Sequence, residues 1–463
     1  MNRAHRRAMR SYQSRAFRYT LTRDACALFL EMRLGKTLIV IRSVDFKEAY
    51  PCLVVAPLSA FYGWITELRD EGFDDSDIVV VTGYNSDKRY RVLCEGIERG
   101  ARWFIVNKEG HRAVPELADI RWSCVVLDES PFIKSPTTKV TKFYLYNFAR
   151  VPYRYIMSGT PAPEGVQDYY TQLRFLDPST FPDRDFWQWR FRLFKVSGYE
   201  WHCTRSGHRE IQQALAERCF FLTRKQAGYT EDFTVVRRTF ELPPKYRKLY
   251  RTIEEEFVID SEDAEDDIGF KSTKWATTRH VWLRQLCGGH VDGELVYDGK
   301  LKEVMYLAGG ELAGQRLVIW ATFTAEVDSL YSRLSGKYGE RQVAFIDGRV
   351  KVPDRMEIQR RFKEGDIRYV ICQSSIRHGV DFSAANTALY YSAPQGYDPF
   401  RQTRDRVVKI GKRDNLFVIF LVVTDEHGTV DEDTIASIDA HENAQAVYRR
   451  FIERRKKALC RTA

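Results

Sequence analysis

Short apolar runs bounded by turn residues recur in two separate parts of this 463-residue chain. The first series is Ala25–Leu30, Cys52–Ala56, Ile78–Val81, Trp103–Val106, Cys124–Leu127 and Tyr153–Met157. Each run is rich in β-branched or aromatic residues and reads as a buried strand. Helical patterns lie between them, and strands alternating with helices predict a parallel sheet with right-handed crossovers. A second series, Leu317–Trp320, Val343–Ile346, Tyr369–Cys372, Ala388–Tyr391 and Leu416–Val423, predicts a second sheet of the same kind. The expected fold class is α/β: two doubly wound parallel-sheet lobes in tandem, 1–182 and 301–463. The stretch between, 183–300, lacks the rhythm and reads as a mostly helical insertion and linker.

That middle stretch holds two compositional features. Phe186-Trp187-Gln188-Trp189-Arg190-Phe191-Arg192-Leu193-Phe194-Lys195 mixes aromatic and basic residues. It reads first as a helix with an apolar core face and a basic outer face, and second as a platform on which bases stack. Glu254 to Asp267 is acidic and expected to be a solvated or disordered loop. The tail from Arg449 to Arg461 reads as a basic helix with an exposed face.

The length is too great for one core, in keeping with separate domains. Net charge is +9, which admits a polyanionic partner. Arg3, Arg6, Arg7, Arg10, Arg15 and Arg18 open the chain without an acid among them. No apolar run is long enough to span a bilayer, and no secretory leader is visible. The nine cysteines are scattered without a Cys-x-x-Cys pair, so they read as reduced thiols, not as a zinc site or disulfide frame. A monomeric cytoplasmic protein is expected, of a bacterium or a phage-infected host.

Candidate chemistry sits where predicted strands end. Arg33-Leu34-Gly35-Lys36-Thr37 follows the first strand and precedes the helical pattern Leu38-Ile39-Val40-Ile41. Gly35 lets backbone approach a phosphate, Lys36 can reach β- and γ-phosphates, and the Thr37 hydroxyl can hold Mg²⁺. The full phosphate-loop pattern would place glycine at Leu30, and often at Arg33 as well. Asp128-Glu129 ends the fifth strand of the first series. An acidic pair on the C-terminal edge of an α/β sheet stands where such sheets bind ligands. Asp128 can hold Mg²⁺, and Glu129 can orient or deprotonate an attacking water.

These motifs, taken in order with others, resemble superfamily 2 helicases of the Swi/Snf-type translocase branch. Tyr12-Gln13 lies where that family keeps a glutamine that reads the adenine edge. Val54–Ser59 with Trp64 resembles motif Ia, Asn107-Lys108-Glu109 a strand end of the family, and Ser158-Gly159-Thr160-Pro161 motif III. Val318–Phe323 is similar to motif IV, Ile346-Asp347-Gly348 to the next strand end, and Arg377–Phe382 to motif V. Gln402-Thr403-Arg404-Asp405-Arg406-Val407-Val408-Lys409-Ile410-Gly411 is similar to motif VI, and Thr429-Val430-Asp431-Glu432 to the closing signal. The resemblance runs from about residue 10 to about residue 435.

The resemblance implies two RecA-like lobes acting on ATP and Mg²⁺. Catalysis would involve Lys36, Asp128, Glu129, Gln402, Arg406 and Lys409. The nucleotide would meet Gln13, Arg33, Leu34, Gly35, Lys36, Thr37 and Asp381. The metal would meet Thr37 and Asp128. Ser59, Thr160, Thr322 and Ser374 would contact the phosphates of duplex or branched DNA without reading its sequence; RNA is the lesser expectation. The chain departs from the family pattern at Arg33, where a glycine is usual, and at Pro131, where a histidine is usual. Lys409 stands in place of the second motif VI arginine, keeping the charge but losing the bidentate fork. Slow turnover is therefore expected, and Lys409→Arg should raise it in a steady-state ATPase assay. Three activities fit: a DNA translocase of replication, recombination or fork remodelling; a strand-separating helicase on DNA or RNA; and an ATP-gated binding protein with little turnover. The compact build resembles phage or prophage members.

Overall fold

The computed structural model describes residues 6–83, 85–197, 200–229, 233–262, 273–376, 380–408 and 416–442. The chain divides into two compact units, Met1–Glu231 and Asp232–Ala463. In unit 1 the strands are β1 (Ala25–Leu30), β2 (Cys52–Ala56), β3 (Ile78–Val80), β4 (Trp103–Asn107), β5 (Cys124–Asp128), β6 (Tyr153–Met157), β7 (Phe194–Ser197), β8 (Glu200–Cys203) and β9 (Cys219–Leu222). The helices are α1 (Ser11–Leu21), α2 (Lys36–Phe46), α3 (Phe61–Asp70), α4 (Ser86–Glu98), α5 (Gly110–Ala113), α6 (Lys139–Phe148), α7 (Tyr169–Leu176), α8 (Phe186–Leu193) and α9 (Arg205–Arg218).

Seven strands form one sheet in the order β3-β4-β2-β5-β6-β1-β9, every neighbouring pair parallel. β7 and β8 pair separately and antiparallel. Strands covered on both faces must be apolar at consecutive positions, and β2 and β5 are buried at every residue. Because the strands are parallel, the C-terminal ends of β1, β2, β5 and β6 share one edge. That edge carries the phosphate loop, Ser59, Asp128-Glu129 and Ser158–Thr160.

Unit 2 contains β10 (Phe233–Phe240), β11 (His290–Val291), β12 (Glu294–Leu295), β13 (Leu317–Ala321), β14 (Val343–Ile346), β15 (Tyr369–Gln373), β16 (Thr387–Tyr390) and β17 (Leu416–Val423). Its helices are α10 (Pro244–Glu262), α11 (Thr273–Cys287), α12 (Gly299–Gly309), α13 (Thr324–Tyr338), α14 (Val352–Glu364), α15 (Tyr397–Asp405) and α16 (Val430–Asp439). Six strands form a parallel sheet in the order β10-β17-β16-β13-β15-β14. The period-2 alternation of strands sends Val318, Trp320, Val370 and Cys372 into one core, and Leu317, Ile319, Tyr369 and Ile371 into the other. The Thr429–Glu432 signal is structural. Thr429 caps α16 by accepting the Glu432 N–H, while Asp431 accepts from the Val423 N–H and from buried Lys300 at 2.6 Å.

The α/β architecture with two parallel sheets agrees with the sequence expectation. The stretch 183–300, read as a helical insertion, instead contributes to both units: β9 extends the first sheet and β10 edges the second. β10 escapes pattern reading because it is an edge strand whose polar Thr234, Arg237, Arg238 and Thr239 break the apolar run. The acidic stretch read as a loop begins inside α10, where Glu254 is buried and accepts from Arg251. Residues 263–272 and the Arg449–Arg461 tail lie outside the described residues. The aromatic-basic block becomes α8, capped by Asp185. Trp189 enters the core, whereas Trp187 and Phe191 are exposed.

Candidate nucleotide site

The turn from β1 to α2 bends twice through the left-handed region, at Arg33 (φ 67°) and Gly35 (φ 82°). Gly35 is required by more than its φ, because a Cβ there would lie 2.3 Å from the Gln13 amide nitrogen. The Gln13 amide donates to the Leu34 carbonyl at 3.2 Å and accepts from the Arg10 N–H at 3.0 Å. In this structure it braces the loop from α1. The Lys36 ammonium lies within the loop and donates to the Leu30 carbonyl at 2.8 Å. No acidic side chain occupies the first turn of α2. Its N-terminal N–H groups and partial positive charge are therefore left for an anion.

β5 delivers Asp128 to the same edge. Its carboxylate accepts from the Trp64 indole at 2.9 Å and from the Glu129 N–H at 3.0 Å. Burial pushes its pKa up to about 6, and the Glu129 carboxylate pushes the same way; the Trp64 bond, Lys36 and the Glu129 N–H oppose them. Lys36 and Asp128 thus feel each other's charge across the edge. Glu129 takes a left-handed φ of 51°, a strained setting typical of functional positions.

β6 ends between β1 and β5, and motif III joins the two. Ser158 donates to the Glu129 carboxylate at 3.2 Å and accepts from the Thr160 N–H at 3.0 Å. A Cβ on Gly159 would lie 3.5 Å from Met32 of the phosphate loop. The structure thus brings Gln13, Arg33–Thr37, Asp128, Glu129 and Thr160 to one region of unit 1. Ser59 stands on the same edge in the turn after β2.

Thr37 and Asp128 suit a Mg²⁺ ion shared with a triphosphate. Among the described residues no cluster of three or more His, Cys, Asp or Glu could cage a metal without help. Mg²⁺ commonly takes one or two protein oxygens and fills its octahedron with phosphate and water, so this donor set fits.

In unit 2, Thr322 and Ser374 follow adjacent strands, and Gln373 donates to the Thr322 carbonyl at 3.1 Å. Buried Gln402 lies in α15; Arg406 follows it and accepts the Phe382 N–H at 2.9 Å, tying motif VI to motif V. Asp381 is exposed and closes a local turn by accepting the Ser383 N–H at 2.9 Å. Arg284, for which the sequence offered no signal, donates to the Ala393 carbonyl at 2.6 Å and approaches the Thr322 hydroxyl at 3.4 Å. Arg377, His378, Gly379 and Lys409 lie outside the described residues.

A model of the SNF2-related domain matches residues 12–252, and a model of the helicase conserved C-terminal domain matches residues 299–411. The chain belongs to the SNF2-related family. It is 23% identical to Protein CHROMATIN REMODELING 4 of Arabidopsis thaliana, over 85% of this chain and 19% of that protein. It is also 23% identical to ATP-dependent helicase brm of Drosophila melanogaster, over 88% of this chain and 27% of that protein. The chain thus spans less than a third of each of these relatives. Among solved structures, the Sulfolobus solfataricus SWI2/SNF2 ATPase core in complex with dsDNA aligns at 19% identity and TM-score 0.45, covering 95% of this chain and 92% of that chain.

Two departures from the SNF2-related pattern acquire a physical reading. Arg33 replaces a glycine yet keeps a left-handed backbone, so the loop retains its course at a steric cost. Arg33→Gly should stabilise the protein by up to about 1 kcal/mol in chemical denaturation, the relief of strain exceeding the added chain entropy. Pro131 replaces a histidine, and the neighbouring residues carry the connection instead. Buried Ser130 donates to Gln172 at 2.6 Å, and Gln172 donates to the Pro161 carbonyl at 2.7 Å. Gln172 thereby ties the turn after Asp128-Glu129 to motif III. Gln172→Leu should lower kcat for ATP about tenfold with KM nearly unchanged, whereas a purely structural role would alter only the thermal midpoint.

Proposed function

We propose that this SNF2-related chain is an ATP-dependent DNA translocase. The observation that carries the reading is the meeting of Lys36, Asp128 and Glu129 on one sheet edge, which forms half of a phosphoryl-transfer site. The α2 N-terminus and Lys36 would hold the β- and γ-phosphates. Thr37 and Asp128 would hold Mg²⁺, which neutralises phosphate charge when bound. Glu129, fixed by Ser158, would orient the attacking water and accept its proton.

Hydrolysis becomes motion when two conformations differ in their contacts with the γ-phosphate. Ser158 and Thr160 are placed to pass that difference on, since one hydrogen-bonds the catalytic carboxylate and the other lies two residues away on the phosphate-binding edge. The name of the Arabidopsis thaliana relative, CHROMATIN REMODELING 4, favours DNA over RNA. The test is displacement of a third strand from a blunt triplex by the full chain with ATP. Displacement without unwinding of a forked duplex is expected. Fork unwinding without triplex displacement would make the protein a strand-separating helicase instead.

A further inference from the structure

Unit 1 contains an open cavity of about 540 Å³ whose lining includes neither the phosphate-loop residues nor Asp128-Glu129. It lies among α6, α7 and α8. Lys142, Arg150, Arg174 and Arg184 stand around it, against a single acid, Asp185. The Asp185 carboxylate is engaged, accepting the Trp187 and Gln188 N–H groups at the start of α8. Arg174 is held by the Tyr170 hydroxyl at 3.0 Å and the Asp183 carbonyl at 3.2 Å. Among the described residues no carboxylate pairs with exposed Lys142, Arg150 or Arg184. The rim thus carries four cations against one carboxylate, a net positive arc.

The cavity also exposes aromatic faces. Tyr146 is 82% exposed and Trp187 49% exposed, an unusual state for large rings. Their neighbours Tyr170, Phe186 and Trp189 pack together at 4.8–5.7 Å and fix α8 against α7. The Arg190 guanidinium lies over the Phe186 and Trp187 rings at 5.7 and 5.8 Å. The aromatic-basic block thus divides its labour: Trp189 anchors the helix, and Trp187 is left at the surface beside cations.

From this we infer that the cavity holds unpaired nucleotides of a single-stranded DNA segment. The bases would stack on Trp187 and Tyr146, and the phosphates would meet Lys142, Arg150 and Arg184. Exposed rings beside unpaired cations are the requirement of sequence-tolerant single-strand binding. A duplex hides its base faces in its own stack and could use only the cations. The inference rests on the reading of the chain as a DNA-binding protein and adds a junction between paired and unpaired DNA as its substrate class. α7 connects the two sites, since Thr171 and Arg174 line the cavity while Gln172 accepts from Ser130, which follows Asp128-Glu129.

The test compares a labelled duplex bearing a single-stranded tail of about ten nucleotides with the same duplex blunt, using the full chain and fluorescence anisotropy. Both rings are exposed, so Tyr146→Ala with Trp187→Ala should fold, which the thermal midpoint checks. The tailed DNA should bind the double variant at least about 5-fold more weakly, the low end for losing one stacked base. Blunt-duplex affinity and duplex-stimulated ATP turnover should stay unchanged. Lys142→Glu, Arg150→Glu and Arg184→Glu together should lower the salt slope for tailed DNA by about 2. Equal loss on both DNAs, no loss on either, or equally tight capture of a free mononucleotide would overturn the proposal. A wild-type chain that binds neither DNA would instead overturn the translocase reading beneath it.

Discussion

Lys36→Ala should reduce ATP turnover by at least about 100-fold, the loss seen when one preorganised group that stabilises developing charge is removed. Lys36 is the cation of unit 1 held inside the phosphate loop, and its charge also reaches Asp128. In this structure its ammonium donates to the Leu30 carbonyl, and a hydrogen bond from a charged group is worth about 1.5–3 kcal/mol. The thermal midpoint should therefore fall by no more than about 12 °C while turnover collapses. A steady-state ATPase assay alongside a melt separates the two effects. Turnover within threefold of wild type would remove the phosphate loop from the chemistry.

The second large effect couples stability to pH. Asp128 is buried, and its folded-state pKa of about 6 lies above the ordinary 3.8. A carboxyl that binds its proton more tightly when folded favours the folded state most below the unfolded pKa. That contribution declines as pH rises from about 4 to about 6 and is gone above 6, where the folded state carries a buried anion. Asp128→Asn removes this liability but replaces one acceptor oxygen by an NH₂ group, losing either the Trp64 or the Glu129 N–H bond. At pH 8 the variant should be more stable than wild type by about 1–2 kcal/mol in urea, a gain that vanishes below about pH 4. The same variant should lose ATP turnover almost completely, since a neutral amide is a poor Mg²⁺ ligand. A site residue that costs stability is expected where function demands a buried charge.

How far the sequence could be read depends on what each residue's signal was. A central strand such as Cys52–Ala56 was legible to the residue, because burial on both faces demands a continuous apolar run. Edge strands were not: β10 is interrupted by arginines, and β9 follows directly on a helix. The phosphate loop and Asp128-Glu129 were legible because their chemistry fixes both residue type and position at strand ends. Their supporting partners were silent. Trp64 stands out only as part of the motif Ia resemblance, with no role until its indole is found on Asp128, and Gln172 reads as a polar residue in an amphipathic helix until it is found bridging Ser130 and Pro161. The left-handed backbone at Arg33 and Glu129 leaves no trace in composition. Tertiary packing imposes it against local preference.

The central claim is that DNA governs phosphoryl transfer at the edge shared by the phosphate loop and Asp128-Glu129. Its most direct test is ATP turnover by the full chain with and without blunt duplex DNA at matched salt, with Glu129→Gln as the paired control. The account predicts at least tenfold stimulation by DNA, roughly the factor for about 1.4 kcal/mol of coupling, and no stimulated turnover in the variant. Turnover indifferent to DNA, or a Glu129→Gln protein as active as wild type, would contradict it.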